Sequence, residues 1–224
     1  MLTLYGNLES GNDYKVRLLL AMRGIAHRRV DVWQTRGTPT SPAFLRINPM
    51  GKIPVLVLDD GRVLSESGAI LHWLARGSTW WPDHPWSQAE VLRWMFFEQY
   101  SHEPAIAVNR YWLRFAPPDP ARAPRIRENH ERGLRALDAM ERWLAGSAWF
   151  GSSSPSIADI ALFAYTHVAD EGGFDLGPYR AIGDWLHRFS SLPGHVGLRH
   201  ETSAVAVVDF EAMPTEHRAP PPHG

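Results

Sequence analysis

Gly51-Lys52-Ile53-Pro54-Val55-Leu56, followed ten residues later by Glu66-Ser67-Gly68-Ala69-Ile70, describes an apolar strand entered through a proline, with a polar helix start close behind it. Pro54 has no N–H to give to a sheet, so it belongs at the start or edge of a strand, where an X-Pro bond can also be cis. Residues 55–58 then run as a short apolar strand, Asp59-Asp60-Gly61 is a hairpin turn signal, and 62–64 return antiparallel. A helix is expected to begin at Ser65 or Glu66. Its first turn offers N–H groups that accept a carboxylate, flanked by one acidic and two hydroxyl side chains. A ligand with both an amino and a carboxylate group suits that combination.

Upstream of this hairpin, 2–5 reads as a short apolar strand. Residues 12–23 carry Val16, Leu19, Leu20 and Met22 at helical spacing and stop at Gly24, and 27–32 reads as a second strand, which completes a βαβ unit. A connector with Pro39 and Pro42 leads to a short helix at 43–47, then the hairpin, then a helix ending near Arg76. The order βαβαββα is that of an α/β thioredoxin-like domain with a right-handed crossover. We therefore expect a thioredoxin-like domain over 1–79, a linker at 80–86, an all-helical domain over 87–212 and a Pro-rich tail over 213–224. In the helical part, Ser87 reads as an N-cap and a long helix reaches about residue 115, kinked by Pro104. A second helix spans about 125–145, a third runs from Ser156 to about 170, and a fourth covers 178–189. Ser156-Ile157-Ala158-Asp159 has the form of a capping box, and we assign Ser156 and Asp159 to structure rather than chemistry.

With 224 residues, 44% of them apolar, and a formal charge of -1 from interspersed acidic and basic side chains, nothing in the composition suggests a nucleic-acid groove or a membrane-binding face. No apolar stretch is long enough to span a bilayer, and 1–5 lacks the charged and apolar regions of a signal peptide, so a cytoplasmic location is expected. Cysteine is absent. Disulfides, thiolate metal sites and a cysteine nucleophile are thereby excluded, and any thiol used must arrive with a substrate. The eleven histidines show no paired ligand spacing, so no metal is expected. His217 and His223 read as solvated residues of the tail.

The run Asn48-Pro49-Met50-Gly51-Lys52-Ile53-Pro54-Val55-Leu56 together with Glu66-Ser67 resembles the glutathione-binding half of cytosolic glutathione S-transferases of the serine, bacterial-like type, and the likeness extends along nearly the whole chain. The resemblance implies that Ile53 presents backbone groups to the cysteinyl part of glutathione, with Pro54 as the cis residue. It implies also that Glu66 and Ser67 grip the γ-glutamyl end and that Lys52 lies near the glycyl carboxylate. Glutathione would be a co-substrate, with no metal, and the partners a small electrophile and a second copy in a homodimer. Glu98 or Gln99 would reach glutathione across that dimer. The capping box at Ser156 likewise resembles the N-capping element of the family's helical domain.

The loop Ser10-Gly11-Asn12-Asp13-Tyr14-Lys15-Val16 joins the first strand to the first helix. A free thiol has a pKa of about 8.5, and a hydroxyl donor with a helix N-terminus would stabilise glutathione's as thiolate near neutral pH. In serine-type members a serine stands six residues before a valine, as Ser10 does before Val16, so Ser10 is the first catalytic candidate. Either Ser10 or Asn12 could instead simply cap the helix, and Asn12 is the second catalytic candidate through its side-chain amide. Tyr5, at the end of the first strand, ranks third and reads as a core residue. The acceptor-substrate site is expected on the long helix, with Tyr100, Glu103 and Tyr111 on one face, although aromatics at such spacing more often serve a core or a dimer interface. The implied activity is conjugation of glutathione to small, mostly apolar electrophiles, a detoxification role. A glutathione-dependent peroxidase or disulfide reductase, and a non-enzymatic binding module, are the alternatives. A maleylacetoacetate isomerase fits less well, because that class carries Ser-Ser-Cys where this chain has Ser10-Gly11-Asn12.

Overall fold

The computed structural model describes residues 1–32, 41–201 and 205–206, which fall into two units. One is built from Met1–Leu74 with the described residues of Val196–Gly224, the other from Ala75–His195.

In the first unit, strand β1 (Leu2–Gly6), helix α1 (Gly11–Met22) and strand β2 (His27–Asp31) form the expected βαβ unit. They are followed by α2 (Pro42–Ile47), the hairpin β3 (Val55–Val57) and β4 (Val63–Ser65), and α3 (Ser67–Ala75). The strand order is β4-β3-β1-β2-β5. β1 and β2 run parallel with Leu2 opposite His27, β3 lies antiparallel to β1 with Tyr5 opposite Val55, and Leu56 faces Leu64 across the hairpin. Tyr5, Val30, Val32, Phe44, Ile47 and Val55 make one core against the sheet. Tyr5 is therefore a core residue, 6% exposed, with its ring edge-on to Phe44 at 6.5 Å. Helix α1 is buried almost all round: Val16, Leu18, Leu19 and Leu20 are inaccessible, and so are the charged Asp13 and Arg17.

The described chain beyond His195 departs from the expected division at residue 212. It returns to the first unit. Tyr14 donates its hydroxyl to the Val196 carbonyl at 2.6 Å, and Arg17 donates to Leu198 O at 2.7 Å and to His200 O at 3.2 Å. Arg29 pairs with Glu201 at 2.7 Å, Arg199 with Glu9 at 2.8 Å, and β5 (Val205–Ala206) extends the sheet parallel to β2. The reason is physical: buried Arg17 and Arg29 need acceptors, and several of those are backbone carbonyls, which any sequence supplies. The connector with Pro39 and the tail expected over 213–224, His217 and His223 included, lie outside the described residues.

In the second unit, α4 (Pro85–Phe97) starts one turn earlier than Ser87 implied, because His84 takes the N-cap position through Nδ1, which accepts from Trp86 N at 3.2 Å, and Pro85 occupies the first helical position. The long helix is interrupted as Pro104 required. A wide turn at Glu98–His102, closed by Glu103 N–H to Glu98 O, leads into α5 (Glu103–Arg114). Pro104 has no N–H to give to Tyr100 O, and its ring would clash with that carbonyl in a regular α-helix, so the backbone widens there. α6 (Ala123–Leu144), α7 (Ile157–Thr166) and α8 (Arg180–Ser190) complete the unit. Its core is aromatic: Phe150 meets Trp94 at 4.6 Å and Trp185 at 5.1 Å, and Phe163 stacks on Phe189 at 4.5 Å. Ser156 and Asp159 form the reciprocal capping box that the sequence implied.

Candidate active site

Ser10 occupies the N-cap of α1 in extended backbone, and its Oγ accepts from Asp13 N at 3.3 Å. Accepting that bond leaves the hydroxyl able to donate as well. Two residues on, Asn12 Oδ1 accepts from the ammonium of Lys15 at 2.8 Å and lies 3.5 Å from the hydroxyl of Ser67, at the start of α3. Asn12 and Ser67 are fifty-five residues apart in sequence. The βαβ crossover and the hairpin bring them together because β1 and β3 are neighbours in the sheet.

The Ile53–Pro54 peptide is cis, with Ile53 half-buried and Pro54 buried at the entry to β3. The preceding loop is braced by Asn48, only 3% exposed, whose side chain donates to Lys52 O at 2.8 Å and accepts from Met50 N at 3.2 Å. Asn48 thus holds the backbone that presents Ile53, a part the sequence reading did not assign it. An Asn-Pro ahead of a Gly was the available signal, since asparagine side chains close such turns on their own backbone. Lys52 is exposed.

Helix α3 begins at Ser67, one or two residues later than expected, because Glu66 adopts a left-handed conformation with φ of 67°. A non-glycine residue pays roughly 1–2 kcal/mol for that geometry. The first intrahelical bond runs from Ile70 N to Glu66 O at 3.0 Å. The N–H groups of Ser67, Gly68 and Ala69 therefore have no intrahelical acceptor, while the Glu66 side chain is exposed and Ser67 is 6% exposed. In one unit the structure brings together the loop of Ser10 and Asn12 and the first turn of α3 with Ser67.

Below the loop lies a buried ionic cluster. Asp13 and Arg17 pair at 2.8 Å, each fully buried, and Arg17 also donates to Leu8 O, within the loop that precedes Ser10. Burial pushes the Asp13 carboxyl above its ordinary range, against the pull of Arg17 and Arg29.

The residues match the family model of the glutathione S-transferase N-terminal domain over 14–76 and that of the C-terminal domain over 105–193. A glutathione S-transferase crystal structure from Pseudomonas fluorescens is 47% identical, covers 88% of this chain and 98% of its own, and superposes with a TM-score of 0.83.

The chain belongs to the glutathione S-transferase family. Its relatives are not uniform in name. A possible glutathione S-transferase from Rhodopseudomonas palustris is 39% identical, over 97% of this chain and 99% of its own, with a TM-score of 0.86. The disulfide-bond oxidoreductase YfcG of Escherichia coli is 31% identical over 189 residues, 81% of this chain and 87% of its own length.

The second unit of this glutathione S-transferase holds the expected acceptor residues. Tyr100 is 80% exposed and lines a cleft of about 440 Å³ with Phe97, Ser101, Arg132, Arg135 and Ala136. Glu103 and Tyr111 are not in its lining, so the three do not share that cleft. Their spacing of three and eleven presumed an unbroken α-helix, and the wide turn at Glu98–His102 shifts the phase between Tyr100 and α5. Tyr111 is 51% exposed with its ring tilted against Phe115 at 6.4 Å, and Glu103 is half-buried. Glu98 is buried and accepts from Gln99 Nε2 at 2.7 Å.

Proposed function

We propose that the protein is a glutathione transferase in which the glutathione thiol is held as thiolate beside Ser10 and Asn12 at the N-terminus of α1. The peptide's γ-glutamyl end lies on Glu66 and Ser67 at the first turn of α3, its cysteinyl backbone pairs with Ile53 ahead of cis-Pro54, and its glycyl carboxylate lies near Lys52. The observation that carries this reading is the approach of Ser67 Oγ to Asn12 Oδ1, which joins the two helix N-termini into one site. The N-termini of α1 and α3 favour anions through their N–H groups and dipoles, as a thiolate and a carboxylate require.

In the reaction the thiol proton leaves to solvent and the sulfur lone pair forms a bond to an electrophilic carbon. The leaving group departs with its electron pair, or an activated double bond takes up that pair and then a proton. The chain supplies positioning and anion stabilisation, and it has no cysteine to form a covalent enzyme intermediate. The acceptor is a small, mostly apolar compound; Tyr100, Glu103 and Tyr111 are the acceptor-site candidates, Tyr100 facing its cleft separately from the other two. A homodimer fits the exposure of Phe96 at 69% and Tyr100 at 80% on neighbouring turns, and sedimentation at micromolar concentration tests it. A cytoplasmic, detoxifying role accords with this reading.

A second reading has support from the Escherichia coli relative, named for disulfide-bond oxidoreduction. The same thiolate would attack a disulfide sulfur and expel one thiolate, and a second glutathione thiolate would attack the glutathionyl sulfur of the mixed disulfide, expelling the other thiolate and giving oxidised glutathione.

The test is calorimetric titration with glutathione of the parent and of Ser67→Ala, followed by turnover of a chloroaromatic and of a small disulfide. Binding weakened about tenfold by the substitution supports the site, the loss corresponding to about 1.4 kcal/mol. Chloroaromatic turnover supports conjugation, whereas turnover of the disulfide alone would move the assignment to reduction. Absence of binding in the parent refutes the site.

A further inference from the structure

We infer that Lys15 is a positioning residue for thiolate formation: it fixes the orientation of the Asn12 side-chain amide so that an N–H, and not the carbonyl oxygen, is presented at the sulfur end of the site. The inference rests on the glutathione reading above and decides how Asn12 takes part in it.

Lys15 is 1% exposed, an unusual state for a lysine. A buried ammonium must be met by acceptors, because leaving it unmet costs far more than folding can spare. One acceptor is Asn12 Oδ1 at 2.8 Å. The two residues are three apart on the first turns of α1, a separation at which helical side chains are neighbours, so the helix itself holds the pair.

An asparagine amide has one accepting edge and one donating edge, and an ammonium only donates. The edge of Asn12 that meets Lys15 is therefore the oxygen, whichever way the group would otherwise turn. Ser67 Oγ approaches the same oxygen at 3.5 Å, and the two contacts hold it from α1 and from α3. Nδ2, with both its hydrogens, occupies the other edge. Without Lys15 the amide could rotate by half a turn and set its oxygen against a thiolate, where it would repel rather than stabilise.

Ser10 and Asn12 then divide the work. Ser10 Oγ accepts from Asp13 N and caps the helix; in this scheme its O–H and an Asn12 N–H donate to sulfur. Lys15 does not touch the sulfur in this scheme; it acts through Asn12.

The experiment is a double-mutant cycle on the pKa of enzyme-bound glutathione, read from thiolate ultraviolet absorbance against pH at saturating glutathione. The proteins are the parent, Asn12→Ala, Lys15→Met and the double variant, with Lys15→Gln beside them. Met is unbranched and fills the buried side-chain position without a donor, whereas Gln keeps an N–H donor without the charge. The expected result is a rise of about one pH unit for Asn12→Ala and a similar rise for Lys15→Met, that is, about tenfold less thiolate at a given pH. The double variant should show no further rise, because both substitutions remove the same donor. Lys15→Gln should retain at least half of the parent's effect, and the dissociation constant of glutathione should change less than threefold throughout.

Additive shifts, or a parent-like pKa in Lys15→Met, would overturn the inference. So would equal shifts in Lys15→Met and Lys15→Gln, since charge rather than orientation would then be at work. If Lys15→Met does not fold, Lys15→Gln and Lys15→Leu carry the same cycle, with Leu as the variant that lacks a donor. A parent that fails to bind glutathione in calorimetry overturns the functional reading and this inference together, whereas binding with an additive cycle overturns the inference alone.

Discussion

Gly6 closes β1 at a point where no side chain fits: a Cβ built there would stand 1.8 Å from Asp13 Oδ1. Asp13 is fixed by Arg17 at 2.8 Å with both side chains fully buried, so it has nowhere to retreat. Gly6→Ala should therefore destabilise the protein by about 3 kcal/mol, the upper range for overpacking. Urea unfolding checks this, and a parent-like midpoint would show that the Asp13 carboxylate can move. Ser10 shows how far local sequence reaches at this scale. Its capping role was legible in Ser-Gly-Asn ahead of an apolar helix, and the cap is observed; its candidate catalytic role came from the family resemblance. Ser10→Ala should cost about 1 kcal/mol through the lost cap and, separately, lower the thiolate signal of bound glutathione while leaving most of the affinity. A variant with lost stability and an unchanged thiolate signal would assign Ser10 to capping only. Lys15 was not legible as more than a helix surface charge, since its burial depends on what packs over α1.

Among the elements, α7 concentrates the most consequential polar burial. Asp159 accepts from Phe150 N at 3.0 Å, Ser156 N at 2.9 Å and Trp185 Nε1 at 3.0 Å. Removing its carboxylate strands these donors in an aromatic core, and Asp159→Ala should lose roughly 3–5 kcal/mol or fail to accumulate as folded protein. Thermal and urea unfolding against Asp159→Asn, which keeps an acceptor, measures it; equal stabilities of the two would sink the explanation. The same helix also carries opposed pH effects. Burial raises Asp159 to about 7, above its unfolded value of about 3.9. Its contribution to stability is therefore complete below the unfolded value and lost as pH rises through about 7. Burial lowers His167, at the C-cap, to about 4, below its unfolded value of about 6.5. Its contribution is complete above the unfolded value and lost as pH falls toward about 4. The two slopes oppose each other between about pH 4 and 6.5. His167→Gln removes one of them, so its stability should fall more steeply than the parent's as pH is raised from about 5 to 7. Parallel curves in urea titrations would show that His167 is not kept neutral in the folded state.

For the molecule as a whole, the described residues after His195 matter more than their composition suggests. Arg17 takes carbonyls of Leu198 and His200, Tyr14 takes that of Val196, and Arg29 takes the Glu201 carboxylate. A chain ended after residue 195 strips buried Arg17 and Arg29 of these acceptors, leaving them only Asp13, Leu8 O and Asp31, and should lose about 3 kcal/mol. A chain ended after residue 201 keeps these contacts, loses β5 among the described residues, and should stay within about 1 kcal/mol of the parent, the scale of a few net backbone hydrogen bonds. Chemical denaturation of the two truncations decides it, and equal losses would place the stabilising contribution after residue 201 instead. The sequence by itself determined the alternation of strand and helix in the first unit, the hairpin, the proline entry to β3 and the capping box. Each is written in near neighbours: turn residues, caps and apolar period act over a few positions. Tertiary structure alone decided the burial of Lys15, the left-handed turn at Glu66 that delays α3, the separation of Tyr100 from Tyr111, and the return of the chain after His195 to α1 and β2. These depend on which surfaces meet and on backbone groups that carry no residue signature, so only the packed chain could choose among them.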